Sequence, residues 1–189
     1  MRLFVAVPLP AAVRHAVARP IAALRDRLPP AGWVEPENLH LTLAFLGEQP
    51  EDRVEKLVDA LAAGCRGVAP FDAEMGAPGV FPSRGAARVL WISLVTREEP
   101  LRLLRDRVVT ACREAGAPPA RRSRFQPHVT VARCRGRWDG EARRRWTTGV
   151  PSGLGGRFTV DAALLVASRL TAEGALHRTL SRLPLEAHA

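Results

Sequence analysis

Two stretches whose histidines lie 88 residues apart constrain this chain more than anything else in it. The first runs Asn38-Leu39-His40-Leu41-Thr42-Leu43-Ala44-Phe45-Leu46-Gly47, and the second Phe125-Gln126-Pro127-His128-Val129-Thr130-Val131-Ala132-Arg133. Both alternate, and on a β-strand alternate side chains share a face. The pattern predicts His40, Thr42 and Ala44 on one face and Leu41, Leu43 and Phe45 on the other. In the second stretch His128 and Thr130 point one way, and Val129 and Val131 point into a core. Pro127 suits the start of a strand, where no ladder donor is needed.

The two stretches sit in a longer repeat. Arg2 begins a strand, followed by a helix and a loop leading to His40. Arg88 begins the same series and leads to His128. The offsets are 86 and 88 residues, and Phe71 and Phe158, each opening a short strand, are 87 apart. Matching offsets predict a single bilobal domain over residues 1–189, with an internal repeat of about 2–75 and 88–161. Packed about a pseudo-two-fold axis, the lobes would bring the two His-Thr strands face to face.

The remaining elements follow from period and punctuation. A stripe at Val13, Val17, Ile21, Leu24 and Leu28 predicts a helix over 11–28, with a kink or break at Pro20. Residues 29–32 read as a loop. Glu51 and Asp52 open a second helix, where acidic residues suit the positive end of the dipole, and Gly64 caps it. A short strand over 71–75 precedes a Gly/Pro-rich loop over 76–88. A strand over 88–95 leads to a helix over 98–115, ended by Gly116. Residues 134–156 read as an irregular excursion. Strands follow over 157–161 and 163–168, with an edge strand over 176–185.

Composition narrows the function. Hydrophobic content of 47% and charged content of 25% are those of a soluble globular protein. No apolar run is long enough to span a bilayer. Met1–Ala18 has some marks of a signal peptide, but Pro8 and Pro10 interrupt it and its strand role competes. Cys65, Cys112 and Cys134 are scattered, as expected of reduced cytoplasmic thiols rather than a disulfide or metal framework. Net charge is +9, and every cation but Lys56 is an arginine. Arginine offers a fork that matches phosphate, so a polyanion, nucleic acid first, is the expected partner; a genome-wide bias towards Arg is the bland alternative. Nine arginines (121, 122, 124, 133, 135, 137, 143, 144 and 145) bracket His128, against Asp139 and Glu141 alone.

Two facing imidazoles suit phosphodiester chemistry. One neutral His takes a proton from an attacking hydroxyl, while the other, protonated, gives one to the departing oxygen. Thr42 and Thr130 can bind the non-bridging phosphate oxygens. Two satisfied core histidines are the structural alternative. A zinc site competes as well, but neither strand offers a Cys, Asp or Glu as third ligand. His15, His177 and His188 have no comparable setting and read as surface residues.

HLTL at 40–43 and HVTV at 128–131 resemble the paired HxTx signature of the 2H phosphoesterases. The opening RLFVAVPLP, NLHLTLAFLGE, GVFPSRGAARVLW, FQPHVTVAR and the ending SRLTAEGALHRTLSRLPL resemble the LigT-like RNA 2′,3′-cyclic phosphodiesterases, also called 2′-5′ RNA ligases. The resemblance covers nearly the whole chain. It implies a mixed α/β fold of the α+β kind, with two pseudo-symmetric lobes, each an antiparallel sheet with flanking helices, around a central cleft. It implies opening of an RNA-terminal 2′,3′-cyclic phosphate to a 2′-phosphomonoester without metal, ATP or other cofactor, with reverse 2′-5′ ligation as the same chemistry run backwards. His40 is then the proton donor and His128 the proton acceptor, a division the near-symmetric motifs alone leave open. Thr42 and Thr130 hold the phosphate.

Arg133 matches a family arginine that binds phosphate. Strict alternation sets it opposite His128, so it reaches the cleft only if the strand bulges or ends near Ala132. Phe4 matches an aromatic of the first strand and reads equally as a base-stacking platform or as core. The family's aromatic in the last strand is absent, with His177 in its place. The chain reads as a cytoplasmic monomer acting on RNA. Alternatives are a phosphodiesterase for a small cyclic nucleotide or ADP-ribose cyclic phosphate, or a non-catalytic RNA- or nucleotide-binding protein.

Overall fold

Apolar side chains at helical and at alternating spacing build four helices and nine strands among the residues that the computed structural model describes: 1–97, 99–120, 125–171 and 174–187. In chain order these are β1 (Arg2–Pro8), α1 (Ala11–Leu24), β2 (Ala31–Trp33), β3 (His40–Glu48), α2 (Arg53–Cys65), β4 (Phe71–Phe81) and β5 (Val89–Thr96). Then come α3 (Pro100–Glu114), β6 (His128–Cys134), α4 (Gly140–Gly149), β7 (Arg157–Val160), β8 (Ala162–Leu170) and β9 (Ala175–Pro184).

The strands form one curled antiparallel sheet in the order β7-β4-β5-β6-β3-β1-β8-β9, with β2 paired to β6. Its two four-stranded halves meet at a single residue pair, Leu41 with Val129. One half joins β4 of the first sequence unit to β5, β6 and β7 of the second, whereas β8 and β9, which follow the second unit, complete the other half beside β1. One face of the sheet carries the main core. Leu3, Val5 and Val7 of β1, Leu41 and Leu43 of β3, Leu90 and Ile92 of β5, and Val129 and Val131 of β6 are buried there. The stripes Val13-Val17-Ile21, Leu57-Leu61-Cys65 and Leu101-Leu104-Val108 of the helices cover them. The other face is the cleft.

Several local expectations are revised. α1 runs through Pro20 without a break and ends at Leu24. Val17 and Ile21 bury on either side of Pro20, so packing holds the helix across the missing hydrogen bond. Gly64 does not cap α2 but lies inside it. A Cβ there would come within 3.3 Å of both Ala111 Cβ and Arg107 O, so the glycine lets α2 and α3 approach closely. β4 continues to Phe81, through what composition suggested was loop. Residues 31 and 32, also read as loop, join Trp33 in β2. The stretch 134–156 contains α4, capped where Asp139 accepts the Ala142 N–H at 2.9 Å and anchored by buried Trp146, whose indole N–H reaches Gly79 O at 2.9 Å. Gly116 does end α3, at a φ of 76°.

Candidate active site

The Leu41–Val129 pair fixes the centre of the site. Both side chains are fully buried in the core. Their neighbours His40, Thr42, His128 and Thr130 therefore turn to the opposite face, and all four are half-buried there. Across an antiparallel pair, directly opposite side chains, here His40 with Thr130 and Thr42 with His128, stand about 5 Å apart, and the diagonal pair His40 and His128 about 7–8 Å apart. The two halves of the sheet thus bring the two motifs together where they join.

Both imidazoles are held in the same way. His40 Nδ1 lies 2.7 Å from Asn38 O, and His128 Nδ1 lies 2.7 Å from Gln126 O. A carbonyl only accepts, so each Nδ1 carries a proton and Nε2 is the ring nitrogen whose proton can be exchanged. His40 Nε2 is 3.1 Å from Thr42 Oγ1. The pKa of His40 is lowered to about 4, chiefly by burial; the Asn38 bond opposes the shift, and nearby His177 and His128 contribute to it.

Each histidine has its own aromatic wall. Phe4 stacks on His40, with ring centroids 4.8 Å apart. His177 meets both edge-on, at 5.1 Å from Phe4 and 5.4 Å from His40. His177 is thus not the surface residue expected. It belongs to the site, and β9, which carries it, is tied to the first motif where Asn38 Nδ2 donates to Ala175 O at 3.2 Å. Phe4 is only 4% exposed, its ring taken up by His40, His177 and Phe45, so a base could stack on it only after these move. Around His128 stand Phe81, at 5.0 Å, and Trp91, at 6.0 Å. The Trp91 ring packs against Gly79, where a Cβ would come within 2.2 Å of it.

Strict alternation fails just beyond each threonine, in the same way in both strands. In β6, Trp91 pairs Thr130 and Leu90 pairs Ala132, so Val131 is an extra residue. Val131 and Ala132 are both buried, and exposed Arg133 returns to the His128 face. This bulge is the condition under which Arg133 was expected to reach the cleft. In β3, Ala6 pairs Thr42 and Val5 pairs Ala44, leaving Leu43 extra. Ala44 thereby joins the core and Phe45 comes to the cleft face beside Phe4, the reverse of the expected arrangement. Neither bulge has a glycine at the extra residue to announce it.

The arginine cluster is partly spent within the protein. Arg121, Arg122 and Arg124 lie outside the described residues. Arg144 and Arg145 pair with Glu141 on α4. Arg143 donates to the carbonyls of Pro82, Ser83 and Gly85, pinning the β4–β5 turn beside Phe81. Among the described residues no three His, Cys, Asp or Glu side chains are grouped to hold a metal ion, and no helix is long and apolar enough to cross a membrane.

Comparison with known proteins adds to this geometry. A family model described as the 2′-5′ RNA ligase superfamily matches residues 12–171. An RNA 2′,3′-cyclic phosphodiesterase of Thermus thermophilus is 38% identical over 195 residues, covering 98% of this chain and 90% of that protein. One from Geobacillus stearothermophilus is 39% identical over 139 residues; the match takes 74% of this chain but only 43% of that longer protein. A crystal structure of a Thermus thermophilus protein superposes with a TM-score of 0.83 at 30% identity over the whole of both chains. The crystal structure of Escherichia coli LigT complexed with 3′-AMP gives 0.75 at 26% identity, covering 97% of each.

Proposed function

The chain belongs to the 2′-5′ RNA ligase superfamily, and from that premise we propose that it is an RNA 2′,3′-cyclic phosphodiesterase, a hydrolase that opens the terminal ring to a 2′-phosphomonoester. The observation that carries the reading is the pair of His-Thr motifs flanking one strand contact, each imidazole with Nδ1 tied to a main-chain carbonyl. His128 Nε2 takes a proton from water as the water oxygen attacks phosphorus. The bond from phosphorus to O3′ breaks, and His40 Nε2–H gives its proton to the departing oxygen. Thr42 and Thr130 donate to the non-bridging oxygens, and Arg133 adds positive charge from the same face. Run backwards with a 5′-hydroxyl in place of water, the same steps form a 2′-5′ linkage.

An acid whose pKa lies near 4 in the empty site is neutral at pH 7. The substrate itself supplies the remedy. One negative charge about 4 Å from the ring contributes ~4 kcal/mol at an effective dielectric constant of ~20. That is ~3 pKa units, enough to raise the His40 pKa to about 7, so that the ring can carry the proton it donates. Burial of His40 therefore couples its protonation to the arrival of the phosphate.

The imidazole and hydroxyl groups complete this chemistry without metal, ATP or another cofactor. The same reading makes the protein a cytoplasmic monomer with RNA as its partner. The test uses a short RNA ending in a 2′,3′-cyclic phosphate, with the protein in EDTA. The expected product is the 2′-phosphate, formed with a bell-shaped pH dependence and lost in His40→Ala and His128→Ala. Recovery only on adding metal would overturn the metal-free mechanism. Binding without turnover under all conditions would leave an RNA-binding protein instead.

A further inference from the structure

The direction in which the RNA leaves the site follows from the roles of the two histidines, and this inference rests on the reading above. In-line displacement puts the attacking and leaving oxygens on opposite sides of phosphorus. The leaving O3′ belongs to the terminal ribose. With His40 protonating it, the ribose and the RNA behind it lie on the His40 side. That side is the β3-β1-β8-β9 half of the sheet, and water, or an incoming 5′-hydroxyl, enters from the His128 half.

The His40 half carries a polar row at the right place. Arg2 pairs Ser168 across β1 and β8, and Ser168 pairs His177 across β8 and β9. Cross-strand partners share a face, and this one is the face of Phe4 and His40. His177 stands next to His40 and begins the row, which ends at exposed Arg2. Behind it opens a cavity of about 600 Å³, to which Arg2, Ser168, Arg169, His177 and Arg178 all contribute. Glu48 closes the far end, where its carboxylate lies 3.5 Å from the Met1 amino group. The sequence motif accounts for none of these residues.

We infer that His177, Ser168 and Arg2 form a subsite for the internucleotide phosphate immediately upstream of the cyclic end. The protein is thereby built for RNA chains rather than for cyclic mononucleotides. The His177 N–H and Ser168 hydroxyl donate to the phosphate oxygens, and the Arg2 guanidinium supplies the charge.

The test compares kcat/KM for adenosine 2′,3′-cyclic phosphate with that for the dinucleotide ApA carrying the same cyclic end. The expected ratio in the wild-type protein favours the dinucleotide by ~10-fold or more. Arg2→Ala and His177→Ala should each cut that ratio several-fold, with His177→Asn, which keeps an N–H donor, falling less. Arg2→Ala should also flatten the salt dependence of KM for the dinucleotide, because one screened charge–charge contact is lost. A wild-type ratio near one, with both substrates opened to 2′-phosphates, would overturn the subsite while leaving the cyclic phosphodiesterase intact. A large ratio that collapses in Arg133→Ala but not in Arg2→Ala would place the RNA over the other half. No opening of either substrate would remove the reading itself and the subsite with it.

Discussion

Replacing His40 with Asn should make the protein less sensitive to acid, and the size of the effect can be worked from the site. The ordinary pKa of 6.5 falls to about 4 in the folded protein, chiefly because burial disfavours the charged ring. Between those two values only the unfolded chain takes the proton, so acid favours unfolding. The contribution is absent above pH 6.5, grows as pH falls through the window, and is complete below pH 4. At pH 4.5 it amounts to roughly 2.5 kcal/mol of lost stability. Urea unfolding curves at pH 7.5 and pH 4.5 measure it. The wild-type protein should lose about 2.5 kcal/mol more than His40→Asn across that interval, which at ~2 kcal/mol per molar urea separates the two midpoint shifts by about 1 M. Comparing the two proteins cancels the other titrating groups. Equal losses would mean that His40 is not desolvated, and the proposed coupling between its proton and the bound phosphate would fall with it.

Three other outcomes follow from the same geometry. Thr42→Val and Thr130→Val should each lower kcat by ~100-fold with little change in KM, the pattern of a donor used mainly in the transition state, and steady-state kinetics on a cyclic-ended RNA would show it. Gly79→Ala puts a Cβ against the Trp91 ring that walls His128. It should cost about 1–3 kcal/mol in a denaturant titration and shift Trp fluorescence; an unchanged midpoint would mean that the ring has room to move. Burial pushes the Cys65 and Cys112 thiols up to about 11 and 12, so both should resist a disulfide reagent until the protein unfolds, as a stopped-flow labelling trace would reveal.

Eight of the nine described strands, three of the four helices and the four motif residues were legible in the sequence because local chemistry determines them. Alternation around His40 and His128 marks two half-buried strands, and the spacing of Leu57, Leu61, Leu101, Leu104 and Val108 marks helices that cover a sheet. α4 was less visible: its arginines carry no apolar stripe, and only Asp139, Ala142 and Trp146 signal it. What the sequence left undecided depended on contacts between distant segments. Only the register of β6 against β5, and of β3 against β1, shows that Val131 and Leu43 are extra residues, and so that Arg133 and Phe45 turn into the cleft. Only the strand order shows that β4, from the first unit, completes the half built on β5 and β6, and that β8 and β9 complete the half built on β1 and β3. Gly64 looks like a helix end until α3 is seen against it. His177, with no motif around it, is a surface residue by sequence and a wall of the site by structure, because β9 returns along β8 to stand beside His40. Pairing partners far apart along the chain set which face a side chain occupies, and that is the information a single strand's pattern does not contain.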